Sequence, residues 1–243
     1  MKKATLALVI SGLVAAPMTM AMAPNTDLNL MPYPQTVELG EGKVAIDKSF
    51  SIYIKGYESE RVQFNAKRTV DRLYRQTGLP MLHWQAESED KATLVIDISK
   101  APKDEVQNVE SDESYQLSIK DGQIRIDSER PYGALHGLET FLQLVTTDAS
   151  GYFVPSVEIE DEPRFKWRGV SYDTARHFIE LDVILHQLDA MASAKMNVFH
   201  WHIWDDQGIR IQLDNYQKLW QETADGDYYT CLLYTSPSPR DNR

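Results

Sequence analysis

Cysteine is all but missing from this chain: Cys231 is the single example in 243 residues. Disulfides therefore cannot hold the fold together, and core packing has to do it alone. Basic residues are also in short supply, with 25 Lys and Arg against 36 Asp and Glu and no dense basic run. Nucleic-acid binding needs cations to displace counterions from phosphates, so no nucleic-acid partner is expected. A neutral or cationic substrate fits the acidic balance better. Long apolar runs are scarce too, and there is no internal repeat and no long hydrophilic linker. What is present suffices for a globular protein: 42% hydrophobic residues can build a core, and 10% aromatics argue against disorder.

The N-terminus reads MKKATLALVISGLVAAPMTMAMA. Lys2 and Lys3 form a charged head, an apolar run follows, and Ala21-Met22-Ala23 supplies small residues at the cleavage positions. The alternative is a buried helix or membrane anchor. The run is short for a span, Pro17 breaks it, and Asn25-Thr26-Asp27 follows. Residues 1–23 are thus expected to be a secretory signal, placing the protein in the periplasm or outside a bacterium with no membrane span after cleavage. No cysteine follows the cleavage point, so no lipoprotein anchor is indicated.

Next, LMPYPQTVELGEGKVAIDKSFSIYIKG shows short alternating apolar runs among Pro32, Pro34, Gly40 and Gly42, the mark of strands with tight turns. SERVQFNAKRTVDRLYRQTG places Val62, Ala66, Val70, Leu73 and Tyr74 at helical spacing. Ser59 is its N-cap, and Gly78 with Pro80 stops it. ATLVIDIS reads as a buried strand. SYQLSIKDGQIRID alternates around Asp121-Gly122, a hairpin whose turn needs the positive φ that glycine tolerates. YGALHGLETFLQLV is a second helix with Leu135, Leu138, Leu142 and Val145 as its stripe. The acidic positions of this region read as solvated or packing features. Strands with helices on one face predict an α+β domain over residues 24–163.

From Phe165 the rhythm changes. FKWRGVSYDT predicts a strand, and LDVILHQLDAMASAKM a helix with Leu181, Ile184, Leu185, Leu188 and Met191 on one side. NVFHWHIW predicts a second strand, making a parallel βαβ unit. As the start of an eight-fold barrel, residues 164–230 would carry their polar groups just past the strand ends, on the catalytic face. Those groups are Asp173, Arg176 and His177, then Asp205, Asp206 and Gln207. The closing stretch, CLLYTSPSPRDNR, continues no pattern and resembles translated sequencing-adapter sequence. Residues 231–243 are expected to be a non-native tail, and Cys231 is given no function.

Two readings of His200 and His202 stay open on the residues themselves. Spaced by two on a strand, they share a face and could form half of a divalent-metal site, as in a metal-dependent hydrolase. Equally, both could face the barrel interior and hydrogen-bond within it. Arg176 either offers its planar fork to paired hydroxyls or a carboxylate, or pairs with Asp173 to fix the loop. Asp205 and Asp206 point opposite ways on an extended chain, so one is expected to serve the site and the other to be structural.

RGVSYDTARHF followed by LDAMASAKMNVFHWHIWDDQGIRI resembles the opening of the catalytic barrel of glycoside hydrolase family 20, the β-N-acetylhexosaminidases. PYPQTVELGEG and YGALHGLETFLQLV are similar to that family's non-catalytic N-terminal α+β domain, so the resemblance covers about residues 30 to 225. It implies a small α+β domain followed by the first units of an incomplete (β/α)8 TIM barrel. It implies release of terminal β-linked N-acetylglucosamine or N-acetylgalactosamine, with the substrate's own acetamide oxygen as nucleophile and overall retention. Carried over by motif, Arg176 matches the arginine that binds the C3 and C4 hydroxyls. Asp205 matches the aspartate that supports the catalytic acid through a later histidine, and His202 lines the floor of the pocket. No metal and no cofactor are implied. The partner is a small carbohydrate, with a homodimer of the full-length parent also expected.

One departure limits this resemblance. The family's Asp-Glu pair, which orients the acetamide and supplies the acid, lies on a later strand. Glu222, Asp225 and Asp227 come too soon and lack its glycine-rich setting. The chain is therefore expected to be a fragment with no catalytic residue of its own. A non-catalytic carbohydrate-binding protein is the alternative outside enzymes.

Overall fold

The computed structural model describes residues 28–230, apart from 105, 207 and 224–226. The expected signal at 1–23, the expected non-native tail at 231–243 and Gln207 lie outside the described residues.

The first half is one mixed sheet with two helices on one face. Its elements are β1 (Thr36–Ala45), β2 (Ile52–Gly56), α1 (Glu60–Thr77), β3 (Leu94–Ile98), β4 (Tyr115–Lys120), β5 (Gln123–Ser128), α2 (Pro131–Leu144), β6 (Thr146–Asp148) and β7 (Gly151–Asp161). The strand order is β1-β7-β4-β5-β3-β2, with β6 paired to β7. β3 lies parallel to both β2 and β5, and the remaining pairs are antiparallel. Alternation explains the sheet's two faces. In β4 and β5, Tyr115, Leu117, Ile119, Ile124 and Ile126 point to the helices and are buried, while the residues between them form the other face.

Local chemistry sets the helix ends. Ser59 Oγ accepts from the Val62 amide at 3.4 Å, and Gly78 closes α1 in the left-handed region, its N–H bonded to Tyr74 O at 2.7 Å. Val62, Ala66, Val70 and Leu73 are buried as their spacing predicts, but Tyr74 lies one step round the helix and is exposed. The Asp121-Gly122 turn has φ of 51° and 80°, so both residues are left-handed, as a two-residue hairpin of this twist requires.

Two sequence expectations need correction. The predicted four-residue stripe of α2 is too narrow, because the helix is buried on most sides. Two glycines permit this approach. A Cβ on Gly133 would lie 1.9 Å from Ser114 O, and one on Gly137 would lie 2.6 Å from Ile126 Cγ2. The β6–β7 hairpin is also absent from the sequence reading. Pro155 sits within β7, and proline argues against a paired interior strand. Here it faces Lys43 beside a register shift in β1 between Leu39 and Lys43, where the ladder is already irregular.

After Asp161 the chain builds β8 (Gly169–Asp173), α3 (Leu181–Ser193) and β9 (Val198–His202). β8 and β9 are parallel, with Gly169 opposite Val198 and Asp173 opposite His202. This is the expected βαβ unit, the opening of a barrel. Two short strands, β10 (Trp204–Asp205) and β11 (Gly208–Ile209), pair antiparallel, and α4 (Gln217–Thr223) follows. Trp204 thus lies opposite Ile209 and Asp205 opposite Gly208. Of the predicted α3 stripe, Ile184 and Met191 are buried and the other three are partly so. Among the described residues no helix is long and apolar enough to cross a membrane.

Candidate active site

The parallel register brings two strand ends together. Asp173 closes β8 beside His202, which closes β9. Immediately after β8 the chain turns so that Asp173 Oδ1 accepts the Arg176 amide at 3.1 Å, while Oδ2 takes Arg176 Nη1 at 2.5 Å. Arg176 Nη2 crosses to Asp205 Oδ2 at 2.6 Å. The same oxygen meets His202 Nε2 at 3.0 Å, and Asp205 Oδ1 accepts the Asp206 amide at 2.7 Å. His202, Asp205, Arg176 and Asp173 thus form one continuous polar chain across the two strand ends.

Electrostatics follow from these bonds. The Asp206 amide, then Arg176 and His202, hold Asp205 below the usual carboxylate range. Arg176 does the same for Asp173, and the two carboxylates raise Arg176 in turn. Asp173, Asp205 and Arg176 are therefore ionised at neutral pH. The Arg176 side chain is still 53% exposed, and only two of its five N–H donors go to these carboxylates. Its fork is held in place from behind yet remains open to a ligand.

A second set of groups fixes the turn that carries Arg176. Arg210 is buried and donates from Nε to Thr174 O at 3.1 Å and from Nη2 to Ala175 O at 3.1 Å. Trp201 Nε1 bonds Thr174 Oγ1 at 3.0 Å, and Tyr229 packs on Trp201 while its hydroxyl donates to Ile179 O at 2.6 Å. None of these supports was singled out from the sequence. The available signal was Arg210 itself, a cation between Ile209 and Ile211.

Of the remaining expected residues, Asp206 joins the chain of contacts through its backbone amide, and the side chains of His177 and His200 stand outside it. His177 and Asp206 are exposed. His200 does share the strand face of His202, with ring centres 6.3 Å apart, but its Nδ1 meets Ser171 Oγ at 3.0 Å. Among the described residues no group of three or more His, Cys, Asp or Glu is arranged to hold a metal ion. A cavity of about 770 Å³ lies elsewhere, between α1, α2 and α3, and touches none of these groups. Chemistry therefore points to the open shelf at the strand ends, not to the larger hollow.

Comparison with known proteins gives the family. Residues 165–235 match "Glycosyl hydrolase family 20, catalytic domain", and residues 30–144 match "beta-acetyl hexosaminidase like". Beta-hexosaminidase subunit A1 of Dictyostelium discoideum is 31% identical over 79% of this chain and 35% of its own length. The mouse beta-hexosaminidase subunit alpha is 45% identical over 53% of this chain and 25% of its own. The crystal structure of Flavobacterium johnsoniae chitobiase superposes with a TM-score of 0.76 at 41% identity, covering 84% of this chain and 31% of that one. The chain thus spans about a third or less of the length of these relatives. Its two matched segments take in β1 to β5 with both helices of the sheet domain, and the strand-end shelf, and the chain belongs to glycoside hydrolase family 20.

Proposed function

We propose that this chain is the leading part of an exported β-N-acetylhexosaminidase, removing terminal β-linked N-acetylglucosamine or N-acetylgalactosamine with retention. The observation that carries it is Arg176, fixed between Asp173 and Asp205 at adjacent barrel-strand ends with part of its fork still exposed. A planar fork suits two neighbouring hydroxyls, so Arg176 would grip the C3 and C4 oxygens of the terminal sugar. Asp205 and His202 would hold that cation and carry hydrogen bonding towards the general acid. The substrate's acetamide oxygen would attack the anomeric carbon, gaining from proximity what a protein nucleophile otherwise provides. Chitooligosaccharides are fitting substrates, and a homodimer of the longer parent belongs to the same reading. The N-terminal signal supports the periplasm or the outside of the cell as its location.

The βαβ unit supplies two strands, whereas a closed barrel needs eight, so residues 28–230 alone should not turn over substrate. A longer protein that contains this chain should hydrolyse 4-nitrophenyl N-acetyl-β-glucosaminide. In it, Arg176→Ala should lower kcat/KM by about 100-fold or more, the scale expected when a charged hydrogen bond to substrate is lost. Activity equal to the parent's would refute the assignment of Arg176. Turnover by residues 28–230 themselves would overturn the fragment reading.

A further inference from the structure

The βαβ unit contributes nothing to the main hydrophobic core, whose described members all lie between Leu28 and Ile159. The cavity of about 770 Å³ between α1, α2 and α3 further limits apolar packing along this seam. Something other than a shared core must fix the unit against the sheet.

What lies there instead is polar and buried. Lys195, in the loop between α3 and β9, sends Nζ to Tyr115 Oη at 2.7 Å and to Asp161 Oδ2 at 2.8 Å. Its side chain is 5% exposed and that of Asp161 is 10% exposed. Tyr115 Oη in turn meets Thr140 Oγ1 of α2 at 2.6 Å. Next to this, Arg168 pairs with Glu113, itself almost fully buried, and donates from Nε to Lys195 O at 2.8 Å. The two arms are therefore one network, joining β4, β7 and α2 to the two loops that lead into β8 and β9. Lys195 also has a φ of 56°, a left-handed conformation that a residue with a side chain adopts only at a cost.

We propose that the sheet domain serves as an intramolecular docking platform for the opening βαβ unit, with the Lys195–Asp161–Tyr115 and Arg168–Glu113 contacts as its latch. The latch grips the N-terminal ends of β8 and β9. The opposite ends, which carry Arg176 and Asp205, stay open to solvent and to the rest of a barrel. Paired buried charges are well suited to this task, because a misplaced unit leaves each of them desolvated and alone. Orientation is thereby fixed by polar matching where packing is incomplete.

Hydrogen exchange on the present chain tests the latch. Lys195→Met and Asp161→Asn should each accelerate amide exchange in β8 and β9 by roughly 100- to 1,000-fold, the scale expected when one partner of a buried pair is removed. β3, β4 and β5 should keep their protection, which also shows that the variants fold. The double variant should lose less than the product of the two single effects, since neither charge is then left alone. If Lys195→Met does not fold, Glu113→Gln reads the second arm in the same way. Unchanged exchange in β8 and β9, or equal acceleration in β3 to β5, would overturn the proposal.

Discussion

From Leu30 to Ile159 the chain feeds aliphatic and aromatic side chains into a single core, with Phe50 stacked on Phe141 at 5.6 Å. From Phe165 onward the described chain reaches that core with none, and holds its place by hydrogen bonds and charge. The difference shows how one chain can combine a self-sufficient half with a dependent one. Apolar burial needs only volume and patterning, and it tolerates a range of geometries. A buried ion network is satisfied by one arrangement only, so it orients what it holds.

Three measurements would break or sharpen this contrast. The largest effect is expected at the centre of the core. Phe141→Ala removes a fully buried ring and should cost about 3–5 kcal/mol in chemical denaturation of the sheet domain. A smaller loss would mean that the core is looser than its burial implies. Next comes acid sensitivity near the seam. Burial, then the charges of Lys195 and Arg168, push His136 down to about 3 from its ordinary 6.5. The unfolded chain accepts a proton there that the folded one refuses. Stability should be complete above about pH 6.5 and fall by roughly 1.4 kcal/mol per unit as the pH drops towards 3. Urea titrations between pH 7 and 4.5, above the carboxylate range, should show this slope, and His136→Gln should flatten it. The smallest effect belongs to a local device, since Ser59→Ala removes a single N-cap bond and should cost about 1 kcal/mol. No change in midpoint would mark that 3.4 Å contact as unimportant.

What could be read from the sequence was whatever depends on near neighbours. The Asp121-Gly122 hairpin, the Ser59 and Gly78 caps and the alternation of β4 and β5 are encoded within a few residues, and the structure has all of them. The strand-end shelf was legible for a related reason. Asp173 and Arg176 are three apart, and His202 and Asp205 are three apart, so spacing and strand geometry place each pair. Other features depended on distant partners. Pro155 hid β7 because its tolerance depends on the irregular register of β1. Glu113, Asp161, Arg168 and Lys195 look like ordinary solvated charges until the fold pairs them across 55 and 34 residues. Arg210 was similarly opaque, because its partners are backbone carbonyls that no side-chain pattern announces.

The left-handed backbone at Lys195 carries one more consequence. Glycine adopts that conformation freely, whereas lysine pays about 1–2 kcal/mol for it. The end of α3 offsets that cost locally, because Lys195 N–H bonds Ala192 O at 3.0 Å and Met196 N–H bonds Met191 O at 2.9 Å, the paired bonds that close a helix on a left-handed residue. That shape thus belongs to the end of α3 and does not require the contacts with Asp161 and Tyr115. The Lys195 amine is in this way aimed before the two halves of the molecule meet, so that docking supplies partners to a charge already in position.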